Sequence, residues 1–143
     1  MDIRGLEIQK HIYDFETRVY HLYDLLPKKH KYTLAEHMIL DTIEMRRACR
    51  VAIRIPPTLK DQKATYFGMS FAYAEDVQEA MDHLYDMELM TDKQKASMET
   101  DLGRILKELQ KLSNSFNKQL LKRAGLEPKE ADSQRSVEES DLH

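Results

Sequence analysis

Apolar residues recur at strides of three and four along four successive segments of this chain, a period that suits helices and excludes alternating strands. The first segment reads Ile8, Ile12, Phe15, Val19, Leu22, Leu26 and stops at Pro27, whose ring clashes with the preceding turn and whose nitrogen has no proton to donate. The second runs from Leu34 through Met38, Thr42, Met45, Cys49 and Ala52 to Ile55, where Pro56-Pro57 closes it. The third offers Tyr66, Ser70, Tyr73, Val77, Ala80, Leu84 and Met87. The fourth offers Met98, Leu102, Ile105, Leu109, Leu112 and Phe116, then Leu120 ahead of Gly125, a residue suited to the left-handed turn after a helix.

Three helix-start signals separate the segments: Thr33 with Glu36, Thr58 with Asp61, and Thr91 with Gln94. A threonine hydroxyl at such a position accepts from an orphan amide of the first turn, while the acid or amide three residues on reaches back. Burial of each inward side chain contributes roughly 1.5–3 kcal/mol, against about 1 kcal/mol for each cap. Packing therefore drives the fold and the caps set where helices begin. The expected helices span about 3–26, 34–55, 59–89 and 92–123. Seven-residue spacing in all four implies packing near 20°, and short connections allow only antiparallel neighbours. The expected fold is all-α: an antiparallel up-down four-helix bundle, left-handed, forming one domain over residues 1–125.

The net charge of −3 is unevenly spread. Beyond Leu126 there are six acids against Lys129 and Arg135, a net −4, so residues 1–126 carry +1 from 20 basic and 19 acidic side chains. Residues 126–143, acidic and with little to bury, are expected to form a disordered acidic tail. No apolar run approaches the roughly 18–20 residues of a membrane span, and the N-terminus lacks the apolar core of a signal peptide; the expectation is a cytoplasmic protein with no membrane partner. The single cysteine, Cys49, lies within the apolar pattern, which makes it a small core filler and excludes a disulfide within one chain.

More apolar surface is present than one core stripe per helix requires. The second segment carries Ile39, Ile43 and Ile53 besides its core set, the third carries Phe67, Phe71 and Ala74, and the first adds Tyr13, Tyr20 and Tyr23. Large apolar patches left in water mark contact sites. Ile39, Ile43, Ile53, Phe67, Phe71, Tyr20 and Tyr23 are therefore the candidate oligomer interface, the alternative being broad core faces with aromatic edges.

Charge is sorted by segment. Arg46, Arg47, Arg50 and Arg54 crowd the second segment, and Arg104, Lys107, Lys111, Lys118 and Lys122 form a basic stripe on the fourth. The third instead shows Glu75, Glu79, Asp82 and Asp86. Arginine is well shaped for phosphate, so the candidate nucleic-acid surfaces are Arg46, Arg47, Arg50 and Arg54, with Lys107, Lys111, Lys118 and Lys122 as a second. Glu7 and Asp14 stand at a height to pair with the arginines, which leaves a solvated ion-pair network as the alternative. No metal, cofactor or catalytic constellation is expected. Bundles that bind two irons use Glu-x-x-His pairs, which are missing here; His37 with Asp41 and Glu79 with His83 are separate i, i+4 pairs, and no glycine-rich phosphate loop occurs.

The run Leu26-Pro27-Lys28-Lys29-His30-Lys31-Tyr32-Thr33-Leu34, the Arg47-Ala48-Cys49 ahead of a proline break, and Leu89-Met90-Thr91-Asp92-Lys93-Gln94 leading to Leu102-Gly103-Arg104-Ile105-Leu106 carry a resemblance. Over about residues 5–122 the chain resembles the four-helix-bundle proteins encoded in intervening sequences of bacterial large-subunit ribosomal RNA genes, and the related accessory variability determinant of diversity-generating retroelements. That resemblance implies a bacterial, barrel-shaped homopentameric ring without enzymatic activity. In the retroelement branch such a ring engages a reverse transcriptase and nucleic acid through basic surfaces, here the arginines and lysines named above. The alternative is an oligomeric protein-interaction scaffold with no nucleic-acid role.

Overall fold

The computed structural model describes residues 3–31 and 33–123, with side chains placed over 5–30 and 33–117. Its helices are α1 (Ile3–Leu25), α2 (Lys28–Lys31), α3 (Leu34–Arg54), α4 (Lys60–Asp86) and α5 (Asp92–Arg123), and they are the only regular elements among the described residues. The acidic tail of the sequence reading lies outside them. Pro27 ends α1 and also starts the single turn of α2, its carbonyl accepting from the His30 amide at 2.9 Å.

Cross-helix bonds give the direction of each neighbour. Lys63 of α4 meets Ala52 of α3, and seven residues later Ser70 donates to the Met45 carbonyl at 2.7 Å, so the two helices run oppositely. Gln78 donates to Glu99 at 2.8 Å and Ser113 to the Ala64 carbonyl at 3.3 Å, which sets α4 against α5 in the same way. Glu16 of α1 meets Arg46 of α3, Gly5 lies by Ile53, and Arg18 joins Asp101 and Ser97 of α5. The long helices thus run up, down, up and down around one core.

Ile8, Ile12, Phe15, Val19, Leu22 and Leu26 are all buried, as are Met38, Thr42, Met45, Cys49 and Ala52 of α3 and Met98, Leu102, Ile105, Leu109 and Leu112 of α5. In α4 the buried set is Lys63, Ala64, Phe67, Ser70, Ala74, Val77, Ala80, Met81 and Leu84, while Tyr66 and Tyr73 are half-buried and Met87 is exposed. Ser70, Val77, Ala80 and Leu84 are buried as expected, whereas Tyr66, Tyr73 and Met87 give way to Phe67, Ala74 and Met81. Strides of three and four through 67, 70, 74, 77, 81 and 84 place small Ser70 and Ala74 against α3, and the aromatic rings of Tyr66 and Tyr73 move to the rim.

Only one of the three expected starts forms a full capping box. Thr91 Oγ1 accepts from the Gln94 amide at 3.0 Å while Gln94 Oε1 accepts from the Thr91 amide at 2.9 Å. Thr33 precedes α3 but its hydroxyl donates backwards to the His30 carbonyl, because α2 supplies that acceptor. Thr58 is not a cap: α4 begins at Lys60, after a turn in which the Leu59 amide donates to the Pro56 carbonyl. At its other end α4 closes in a Schellman turn, with the Leu89 amide on the Leu84 carbonyl at 2.8 Å and Glu88 in the left-handed region at φ 61°.

Candidate nucleic-acid interface

Residues 45–57 of α3 and its exit contain four arginines and no acid, whereas residues 74–86 of α4 contain five acids and no lysine or arginine. Antiparallel packing turns this sorting by helix into sorting by height. The arginine half of α3 lies beside the beginnings of α1 and α4 and the second half of α5, where Lys60, Lys107 and Lys111 also stand. The acidic half of α4 lies at the opposite end, with Glu36, Asp41 and Glu44 of α3.

The four arginines do not share one environment. Arg46 Nε donates to Glu16 Oε1 at 2.7 Å, and Glu16 is buried, with Tyr20 donating to its other oxygen at 3.3 Å. Burial, and then the Glu16 carboxylate, raise the Tyr20 phenol above its ordinary value. Arg46 is thereby held as a brace between α1 and α3. Arg47 reaches Glu44 at 3.1 Å on the exposed face, an i, i+3 pair of small worth. The partner for Arg46 is thus Glu16, two residues beyond the expected Asp14 and nine beyond the expected Glu7. Arg50 and Arg54 are exposed and have no acidic partner among the described residues.

Beside Arg54 the bundle opens in a cleft of about 550 Å³ whose basic rim is Arg54 and Lys60 and whose apolar floor includes Phe67, Leu112 and Phe116. Phe67 and Phe116 stack with ring centres 5.9 Å apart. The cleft has this shape because Pro56 and Pro57 stop α3 and because Lys63 holds the frayed end. Its Nζ donates to the carbonyls of Ala52 at 2.6 Å, Ile55 at 2.7 Å and Ile53 at 3.3 Å. A buried ammonium is costly unless its protons are matched; here they meet carbonyls of the last turn of a helix, of which Ala52 also accepts from the Ile55 amide at 3.3 Å. Sequence reasoning passed over Lys63, and its stride alone offered a clue, since 63, 67, 70 and 74 fall on the core face.

Lys107 and Lys111 are exposed on α5 at the same end. Lys118 and Lys122 belong to α5, but their side chains lie outside the described ones.

The candidate oligomer interface is redistributed. Phe67 is only 2% exposed in the lone subunit, so it is removed from that set: it fills the core because the α4 stripe is rotated from the expected one. Ile39, Ile53, Phe71 and Tyr23 are half-buried against the core, and Ile43 is half-buried. Tyr20 remains exposed at 41%, and it continues a stripe with Leu6 at 55% and Tyr13 at 66%. These three are spaced by seven along α1, a signal present in the sequence; Leu40 and Val51 of α3 and Met69 of α4 are further exposed apolar side chains.

At the acidic end, the two i, i+4 pairs His37 with Asp41 and Glu79 with His83 line one shallow hollow together with Asp76. Burial first, and then Asp76, raise the Asp41 carboxyl, with His37 opposing. Among the described residues no group of three or more His, Cys, Asp or Glu is arranged to hold a metal ion. No helix among them is long and apolar enough to cross a membrane.

No family model matches the chain, and no curated protein does. A solved structure from Bacteroides thetaiotaomicron, a protein of unknown function from the S23 ribosomal protein family, is similar in fold: the match covers 78% of this chain and 99% of that one, with a TM-score of 0.71 and 16% sequence identity. The helical bundle described above is therefore an architecture shared with an S23 family protein.

Proposed function

We propose that the protein is a non-enzymatic, self-associating accessory subunit that grips nucleic-acid phosphates with the basic end of its bundle. The observation that carries this reading is the pair Arg50 and Arg54, exposed and without acidic partners among the described residues, at the end that also holds Lys60, Lys107 and Lys111. Arg46 and Arg47 contribute less, since each already faces a carboxylate. The seven-spaced stripe Leu6, Tyr13 and Tyr20 supports association of copies. Repetition of the basic end in one assembly would multiply a weak grip. The resemblance to intervening-sequence proteins extends this reading to a cytoplasmic pentameric ring with a reverse transcriptase partner, and the ribosomal name of the S23 structural neighbour agrees with an RNA association.

Fluorescence anisotropy with structured RNA and with duplex DNA at low salt tests the reading. Binding to backbone alone predicts dissociation constants of roughly 10⁻⁴ to 10⁻⁶ M, similar for both nucleic acids and weakening steeply with salt. Arg50→Ala with Arg54→Ala should weaken it at least severalfold. A blank titration to roughly 10⁻⁴ M, or binding indifferent to losing both arginines, favours instead the second reading, a protein-interaction scaffold, for which the exposed aromatic stripe on α1 is the motivating feature.

A further inference from the structure

We propose that the acidic C-terminal segment, residues 127–143, docks in cis on the Arg54–Lys60 rim of the basic end and occupies the surface that phosphate would use. Three observations carry it. The segment has six acids against Lys129 and Arg135, while the rim presents Arg54 and Lys60, with Arg50 one turn back along α3, and no acid is paired to either arginine among the described residues. The chain also leaves the bundle at the right end. Phe116 lines the cleft, and α5 continues from it to Arg123, about 10 Å further at 1.5 Å per residue. The reach is ample: the 17 residues of the segment extend up to about 60 Å, several times the distance needed to turn back to the rim.

The energetics favour docking in cis over the same contact between separate molecules. Carboxylates on an exposed basic rim bind weakly and are screened by salt. Tethering changes this, because acids joined to the same chain meet the rim at an effective concentration of order millimolar. If the segment has the roughly 10⁻⁴ M affinity typical of nonspecific charge contacts, a millimolar local concentration raises the apparent dissociation constant of a competing nucleic acid about tenfold. The segment then sets a threshold that only a polyanion of higher charge density overcomes. This regulatory meaning rests on the phosphate reading above; the docking itself does not.

The experiment uses the full chain carrying a nitroxide at Ser136→Cys, which the buried Cys49 does not compete to receive. Amide signals of Arg50, Arg54 and Lys60 should lose most of their intensity relative to the reduced label, and regain it in high salt or when Glu127, Glu130, Asp132, Glu138, Glu139 and Asp141 are changed to Gln or Asn. The same six-fold neutralisation should tighten RNA binding about tenfold. Broadening confined to other surfaces, or none, overturns the docking. Broadening that appears equally when spin-labelled unenriched protein is mixed with unlabelled ¹⁵N protein overturns docking in cis and assigns the segment to a neighbouring copy. Loss of intensity at the rim together with a blank RNA titration keeps the docking and removes the phosphate reading, so the two failures are distinguishable.

Discussion

The ammonium of Lys63 donates to the carbonyl oxygen of Ala52 across 2.6 Å, so the first turn of α4 holds the last turn of α3 eleven residues earlier in the chain. The same nitrogen reaches the Ile55 carbonyl, immediately before the two prolines, and stands 5.6 Å from the centre of the Phe116 ring. One side chain therefore joins three helices at the edge of the basic cleft.

Replacing it by a side chain of similar length without donors isolates that role. Lys63→Met takes the donor from the Ile55 carbonyl and leaves the Ala52 carbonyl with only the Ile55 amide at 3.3 Å, at a cost of about 1–3 kcal/mol for an unsatisfied group. Urea unfolding should show the midpoint falling by that equivalent with an unchanged slope. A loss under about 0.5 kcal/mol, the range of ordinary surface substitutions, would mean that water satisfies the carbonyls.

Glu88 occupies the left-handed position that ends α4, where a side chain costs roughly 1–2 kcal/mol and glycine costs little. Glu88→Gly is expected to raise stability by up to about 1 kcal/mol after the extra backbone entropy of glycine is deducted. The thermal midpoint should rise by about 3 °C, and Glu88→Ala should give no such rise.

Asp41 provides the pH test. Its carboxyl is raised above 3.8, first by burial and then by Asp76. A folded value above the unfolded one means that the native state holds the proton more tightly. The associated stability is complete below pH 3.8 and disappears as pH climbs through the raised value. Asp41→Asn should accordingly stabilise the protein at pH 7, by less than about 1 kcal/mol because the site is partly solvated, and lose that advantage in acid. Denaturation midpoints of both proteins across this range decide it.

Burial pushes the Cys49 thiol up to about 12, so almost no thiolate exists at pH 8. An aromatic disulfide reagent should label the native protein only at the rate of unfolding and should label it stoichiometrically in denaturant. Rapid labelling without denaturant would show that the hollow beside Tyr13 and Arg46 opens as far as the sulfur.

Tyr13 and Leu6 are exposed on α1, so changing them should leave the lone bundle within about 0.5 kcal/mol of its original stability. Leu6→Ser with Tyr13→Glu should nevertheless shift sedimentation toward the single chain. Equal sedimentation of the variant and the parent would free this stripe from any part in self-association.

The helical class and the core of α1 were legible because a single strict stride has only one burial solution, as Ile8 through Leu26 show. α4 was ambiguous because two stripes one residue apart, 66-73 and 67-74, both keep the stride and share Ser70, Val77 and Leu84; the choice depends on where small Ser70 lets α3 approach, and that is a property of the packed pair. Thr91 was readable as a cap because its helix starts from an open loop, whereas Thr33 is diverted by the α2 turn, which no apolar period announces. Lys63 was invisible for a deeper reason. Lysine is ordinarily solvent-exposed, and the carbonyls that hold it exist only after Pro56 and Pro57 have bent the chain back. The basic surface was half legible: the arginine cluster stood out, but which arginines are neutralised depends on Glu16, on another helix.

Among the described residues, positive side chains gather at the Pro56–Pro57 end and negative ones at the far end, which gives the bundle a dipole moment along its length. A distant polyanion then exerts a torque before any atom touches, rotating the molecule until its arginine pole faces forward. In such an encounter the arginine pole would lead, which raises the share of collisions that bring Arg50 and Arg54 forward.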